Sequence, residues 1–128
     1  MFTPPGVTSG RRRMSSKTIK IELSFFINVS RSLVEFTLEK YGKLDFLVNN
    51  GGGQFPCGAA DMSLKGWNAV IETNLTGTYL MCREAHRQYM GEHGGAIVNI
   101  IADMFRGFPM MSHTGEAGRG RDGLGCRI

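Results

Sequence analysis

The alternation of apolar and polar positions marks out a series of elements. Ile19-Lys20-Ile21-Glu22-Leu23 alternates with period two and runs into Phe25-Phe26-Ile27, which predicts a short strand over Ile19–Ile27. Ser30 or Asn28 then caps a helix reaching to about Tyr41, with Leu33, Val34, Phe36 and Leu38 as a partial stripe. Gly42 fits the position just past its end. Leu44-Asp45-Phe46-Leu47-Val48 reads as a buried strand that empties into Asn49-Asn50-Gly51-Gly52-Gly53. A long helix follows, with Asp61 or Ser63 as its cap and Gly94-Gly95 as its stop. Its stripe is Trp67, Val70, Ile71, Leu75, Thr78, Met81, Cys82, Ala85 and Tyr89, at three- and four-residue steps. Gly95-Ala96-Ile97-Val98-Asn99-Ile100-Ile101 is then a second buried strand.

Helix, strand, long helix and strand in that order predict an α/β fold with a parallel sheet. A right-handed crossover brings Leu44–Val48 and Ala96–Ile101 side by side. Around this unit, residues 1–18 read as a disordered basic lead, 19–115 as the folded domain and 116–128 as a disordered Gly/Arg-rich tail. The tail has no periodicity and almost no apolar content, so it has nothing to fold by burial.

Composition narrows the function classes. A chain of 128 residues allows one modest domain. It contains no run of about 18 apolar residues, which excludes a membrane-spanning helix. The net charge of +4 raises a nucleic-acid reading, but its distribution argues against one. The first 21 residues hold five basic groups and no acid, whereas residues 22–115 hold seven basic and nine acidic groups. A phosphate-tracking surface needs its cations on the folded face, with aromatic residues among them, so no nucleic-acid partner is expected. Cys57, Cys82 and Cys126 are widely spaced and odd in number, as expected of reduced thiols. Cys82 and His86 stand four residues apart on the long helix, but further ligands are missing nearby and no metal is expected.

Candidate chemistry lies where the strands end, since ligands of a parallel sheet bind at its carboxyl edge. Asn49 and Asn50 carry amides that can tie neighbouring strand ends together. Gly51, Gly52 and Gly53 leave backbone with no Cβ, which lets a flat ligand approach the main chain. Asn74 lies on the apolar stripe of the long helix. A helical asparagine there must find partners, either as a structural tie or as a site residue.

These residues carry a resemblance. From about Leu33 to Gly115 the chain resembles the middle of a short-chain dehydrogenase/reductase, a family with a Rossmann-like, doubly wound parallel sheet. Asn49-Asn50-Gly51-Gly52 resembles the family's N-N-A-G motif, and Asn74-Leu75-Thr76-Gly77 falls where the family has its catalytic-tetrad asparagine. Gly95-Ala96-Ile97-Val98-Asn99-Ile100 resembles its fifth strand. Phe46–Phe55, Glu72–Thr78 and Gly107-Phe108-Pro109 are similar to the peroxisomal trans-2-enoyl-CoA reductases, with three glycines after the asparagine pair as the most discriminating feature.

The resemblance implies an oxidoreductase of fatty acid metabolism that uses NADPH to reduce a trans-2-enoyl-CoA thioester, usually as a homo-oligomer. It assigns a catalytic role to Asn74 and places Asn50, Gly51, Gly52 and Gly53 beside the cofactor. It also implies a peroxisomal location. The final Cys126-Arg127-Ile128 only echoes a peroxisomal address, and the arginine- and serine-rich lead also resembles an organellar transit peptide, so mitochondrial and cytoplasmic locations are the alternatives.

The chain departs from the family at both ends. The T-G-x-x-x-G-x-G loop that cradles a pyrophosphate is not matched, nor is the Y-x-x-x-K pair, since Thr114 is followed four residues later by Gly118. At the usual serine position stand Ala102 or Asp103. The expectation is therefore an incomplete form, inactive alone, that either derives from a reductase or acts as a non-catalytic fragment associating with full-length subunits. An unpaired edge along Asp45–Val48 is expected to promote aggregation, unless Ile19–Ile27 pairs there as a substitute strand.

Overall fold

The computed structural model describes residues 16–102 and 109–123. The first fifteen residues, Asp103 and Cys126-Arg127-Ile128 lie outside that set. Two parallel strands form the sheet, β1 (Phe46–Asn49) and β2 (Ala96–Asn99), paired in register from Phe46 with Ala96 to Asn49 with Asn99. This is the side-by-side arrangement that the strand–helix–strand order predicts. Helices accompany the sheet: α1 (Ser16–Tyr41), α2 (Leu64–Ile71), α3 (Gly77–Ala85), α4 (Gly91–His93) and α5 (Ser112–Gly123).

Residues 64–93 run as one helical rod in which two wider π turns, Glu72–Thr76 and His86–Met90, separate α2, α3 and α4. Ser63 is the cap, with its hydroxyl accepting from the Gly66 N–H at 3.1 Å. Gly94 ends the rod at φ 74°, a conformation glycine adopts without strain, and its N–H donates to the Met90 carbonyl. Gly42 does the same for α1, at φ 72° and with its N–H on Leu38. The expected stripe is on the inside. Val70, Thr78, Cys82 and Ala85 are buried, and Trp67, Ile71, Leu75, Met81 and Tyr89 are half-buried.

Two expectations about the elements are corrected. The segment Ile19–Ile27 is not a strand, and neither Asn28 nor Ser30 is a cap: α1 is continuous from Ser16 to Tyr41. No glycine or proline interrupts the chain between Ile27 and Tyr41. Within the helix, Phe26, Ser30, Val34 and Leu38 fall at four-residue steps on the inner face, and α1 packs against α3. The short period-two stretch was outweighed by this longer period. The substitute strand over Ile19–Ile27 therefore does not form.

The second correction concerns residues 116–123 of the tail expected to be disordered, whose last five residues lie outside the described set. Ser112–Gly123 is a helix, packed on α2 and on the first π turn. His113, Ala117 and Arg121 are buried at four-residue steps, with Thr114 and Gly118 beside them. The helix is held by close approach rather than by apolar bulk. A Cβ at Gly120 would come within 2.7 Å of Leu75 Cδ1.

The strands are half-buried rather than buried on both faces. Leu47 and Asn49 face the helices, whereas Phe46 and Val48 are 73% and 60% exposed. Among the described residues no helix covers that second face, so the continuous apolar run of β1 has only one partner layer.

Candidate functional site

Asparagine side chains organise the carboxyl ends of the strands. Asn49, the last residue of β1, donates through Nδ2 to Asn99 Oδ1 at 2.9 Å and to Cys82 Sγ at 3.3 Å. It thereby ties the two strand ends to each other and to α3, as the sequence suggests for this amide pair. Cys82 is thus an acceptor in the core, and His86 points outward as an exposed residue. No group of three or more metal-ligating side chains occurs among the described residues.

Asn74 lies in the first π turn, 7% exposed. Its Oδ1 accepts from the Gly53 N–H at 2.8 Å, and its Nδ2 donates to the Gly53 carbonyl at 3.0 Å. One amide thus satisfies both backbone groups of Gly53, the way a neighbouring strand would. The main-chain carbonyl of Asn74 accepts from Thr78 Oγ1 at 2.8 Å. Gly52 passes so close that a Cβ there would lie 3.0 Å from Asn74 Oδ1. A side chain at this point would push the Asn74 amide away by a few tenths of an ångström, so glycine keeps the amide and the loop in contact. At Gly51 and Gly53 a Cβ would meet nothing within 4 Å.

Above the strand ends opens a cavity of about 490 Å³. Asn50, Gly52, Gly53 and Asn74 form one wall, Ile100–Ala102 another, and Thr114, Gly118 and Arg121 of α5 the third. The cavity brings together four of the five candidate residues. Gly51 contributes through its carbonyl, which Arg121 Nη1 reaches at 3.5 Å. Thr114 and Gly118, at the places of the family's tyrosine and lysine by resemblance, do line this space.

Arg121 was not singled out by sequence reasoning. It is 6% exposed, and its Nη2 donates to the Asn49 carbonyl. Its own carbonyl accepts from Asn99 Nδ2 at 3.2 Å. The signal was the four-residue step His113, Ala117, Arg121, invisible to a search for apolar stripes. Burial pulls the guanidinium below its usual pKa, opposed by the nearby Cys82. Phe55 braces the same helix, with its ring edge-on to the buried His113 at 4.7 Å. The Cys57 N–H donates to the Met110 carbonyl at 2.7 Å just before α5 begins.

Comparison with known proteins places this geometry. A family model described as short chain dehydrogenase matches residues 16–112. The chain belongs to the short-chain dehydrogenase family. It is similar to the peroxisomal 2,4-dienoyl-CoA reductase of Danio rerio, 34% identical over 92 residues that cover 71% of this chain and 31% of that one. Among solved structures, the citronellol catabolism dehydrogenase of Pseudomonas aeruginosa PAO1 superposes with a TM-score of 0.69 at 41% identity, covering 74% of this chain and 38% of that one. A variant of ElxO with NADPH bound superposes with a TM-score of 0.69 at 29% identity, covering 77% and 40%. The chain therefore spans less than half the length of these short-chain dehydrogenases. The α/β, Rossmann-like class expected from the sequence is the class of this family.

Proposed function

We propose that this segment forms the cofactor side of an NADPH-dependent reductase acting on trans-2-enoyl-CoA thioesters, within fatty acid metabolism and in the peroxisome. The observation that carries the reading is the Asn74–Gly53 bracket. It fixes a loop whose Gly52 leaves the main chain bare toward a cavity at the carboxyl ends of the strands. A Cβ at Gly52 would press on Asn74 Oδ1 at the cavity wall, and the bare main chain there suits the approach of a flat ring such as the nicotinamide. NADPH, when bound, would supply the hydride for the β-carbon of the double bond, and the α-carbon would take its proton from water. Asn50, Gly51, Gly52 and Gly53 hold and orient the ring, and Asn74 keeps that loop in place while presenting its amide to the cavity. The NADPH in one structural neighbour and the acyl-CoA named for the zebrafish relative support this choice of ligands. That relative's name also favours a 2,4-dienoyl thioester as the second substrate reading.

A different reading is a non-catalytic chain that associates with full-length subunits. It is favoured by the cavity wall, where the only titratable side chain among the described residues is Arg121. Thr114 and Gly118 offer neither a phenol nor an ammonium for proton transfer. The 128-residue chain alone is accordingly expected to bind NADPH weakly and to leave the thioester unreduced. The experiment offers the chain NADPH with trans-2-enoyl-CoA or 2,4-dienoyl-CoA. Nicotinamide fluorescence reads binding, and loss of NADPH reads turnover. Enhancement that needs far more than low-micromolar NADPH, without consumption, is the expected result. No enhancement at any concentration contradicts the cofactor-side assignment, and consumption with either thioester contradicts the non-catalytic reading.

A further inference from the structure

Arg121 is a buried cation with no acid to answer it among the described residues. It is 6% exposed, and among the described residues no carboxylate pairs with it. Its two hydrogen bonds go to backbone carbonyls, those of Asn49 and Gly51. A guanidinium carries five N–H donors, so among the described residues three remain uncommitted, and Nε is buried with no partner there. Burying a charge without a counterion carries a large desolvation cost. Natural structures rarely accept that cost without a ligand or a function behind it.

The surroundings say what the ligand is. Arg121 lines the cavity together with the neutral side chains of Asn50, Gln54, Asn74 and Thr114, and no acid lines it among the described residues. Among the described residues the lining is positive and rich in neutral donors. A carboxylate has two oxygens and is saturated by one guanidinium edge, whereas a phosphoryl group offers three or four and can use the amides and the hydroxyl as well.

We propose that Arg121, reaching from α5 to the ends of β1 and β2, forms with Asn50, Gln54 and Thr114 a site for a phosphoryl oxyanion, free or carried by a larger ligand. The two carbonyls aim and hold the guanidinium, and the remaining N–H on each Nη takes the anion, with the buried Nε–H as its reporter. This deepens the reading of the same cavity by naming a ligand group for it. Inorganic phosphate is neither cofactor nor thioester, so its binding stands or falls apart from the reductase reading.

The test follows the Nε–H resonances of the full chain labelled with nitrogen-15 arginine, during titration with inorganic phosphate, acetate or chloride at matched ionic strength. The Arg121 signal is expected to shift saturably with phosphate, to move little with acetate and not at all with chloride. Arg31, Arg83 and Arg87 serve as internal controls and are expected to stay in place. Arg121→Lys keeps the charge but loses the fork, and is expected to weaken phosphate binding by about tenfold. Arg121→Gln is expected to abolish it. Should either variant fail to fold, the wild-type resonance still decides. An Arg121 signal that ignores phosphate, or that moves only as the other arginines do, overturns the proposal. Equal shifts with acetate overturn the phosphoryl assignment in favour of a carboxylate site.

Discussion

Asn74 closes a two-bond bracket on Gly53, so its removal exposes one backbone donor and one acceptor in a part-buried place. Asn74→Ala is expected to cost about 2 kcal/mol in chemical denaturation and to release the loop from α2–α3. Hydrogen exchange at the Gly53 amide would report the release, and unchanged protection there would speak against the bracket. Glu84 makes a second test at this scale. It is 2% exposed and receives Arg83 Nη2 at 2.7 Å and Gln88 Nε2 at 3.3 Å, with Arg31 at 4.0 Å. Burial alone pushes its carboxyl up, but the hydrogen bonds from Arg83 and Gln88 and the charges of Arg83 and Arg87 outweigh it and hold the carboxyl below the ordinary 4.5. A lowered native value means that the unfolded chain takes up the proton first. The stabilisation is thus complete above the ordinary value and is lost as pH falls through the native one. Thermal stability should fall on acidification from about pH 5, and Glu84→Gln should flatten that fall. An identical acid profile for the variant would remove Glu84 from the account.

Helix α1 shows how far element reading went and where it failed. The cap at Ser63, the stops at Gly42 and Gly94 and the stripe of the long helix were legible because capping, left-handed glycine and period 3.6 are local rules. The strand over Ile19–Ile27 was misread because apolar residues occupy more than one face of α1. Phe26, Ser30, Val34 and Leu38 point inward, whereas Phe25, Val29, Leu33 and Phe36 are exposed, and the mixture blurs the helical period. A proline scan separates the two readings. Val29 is exposed, so Val29→Pro removes little burial but breaks a continuous helix at about 3 kcal/mol or more, whereas a turn between strand and helix would accept it. Helix α5 was missed for the opposite reason, since its inner face is histidine, alanine and arginine with glycine at the closest approach. Ala117 is fully buried there, and Ala117→Leu should cost roughly 1–3 kcal/mol by overpacking. Tolerance of that leucine would mean that α5 does not rest on the long helix.

For the molecule as a whole, the contact between Asn74 and the glycine loop was legible in the sequence, because a buried helical asparagine needs partners and a loop without Cβ atoms admits close approach. Arg121 was not, because its role depends on α5 folding back over a loop seventy residues earlier in the chain. The sheet leaves Phe46 and Val48 in solvent, and with Leu33 and Phe36 on α1 the apolar surface invites association. Phe46→Lys with Val48→Lys is expected to lower self-association in sedimentation, while equal association would place the contact elsewhere. The central claim is that the bare loop held by Asn74 receives the reduced nicotinamide. The most direct measurement is a transferred nuclear Overhauser effect between the nicotinamide ring protons of NADPH and the amide protons of the chain. Cross-peaks to the Gly52 and Gly53 amides that vanish in Asn74→Ala are the expected result. Cross-peaks confined to other residues, or unchanged in that variant, would contradict it.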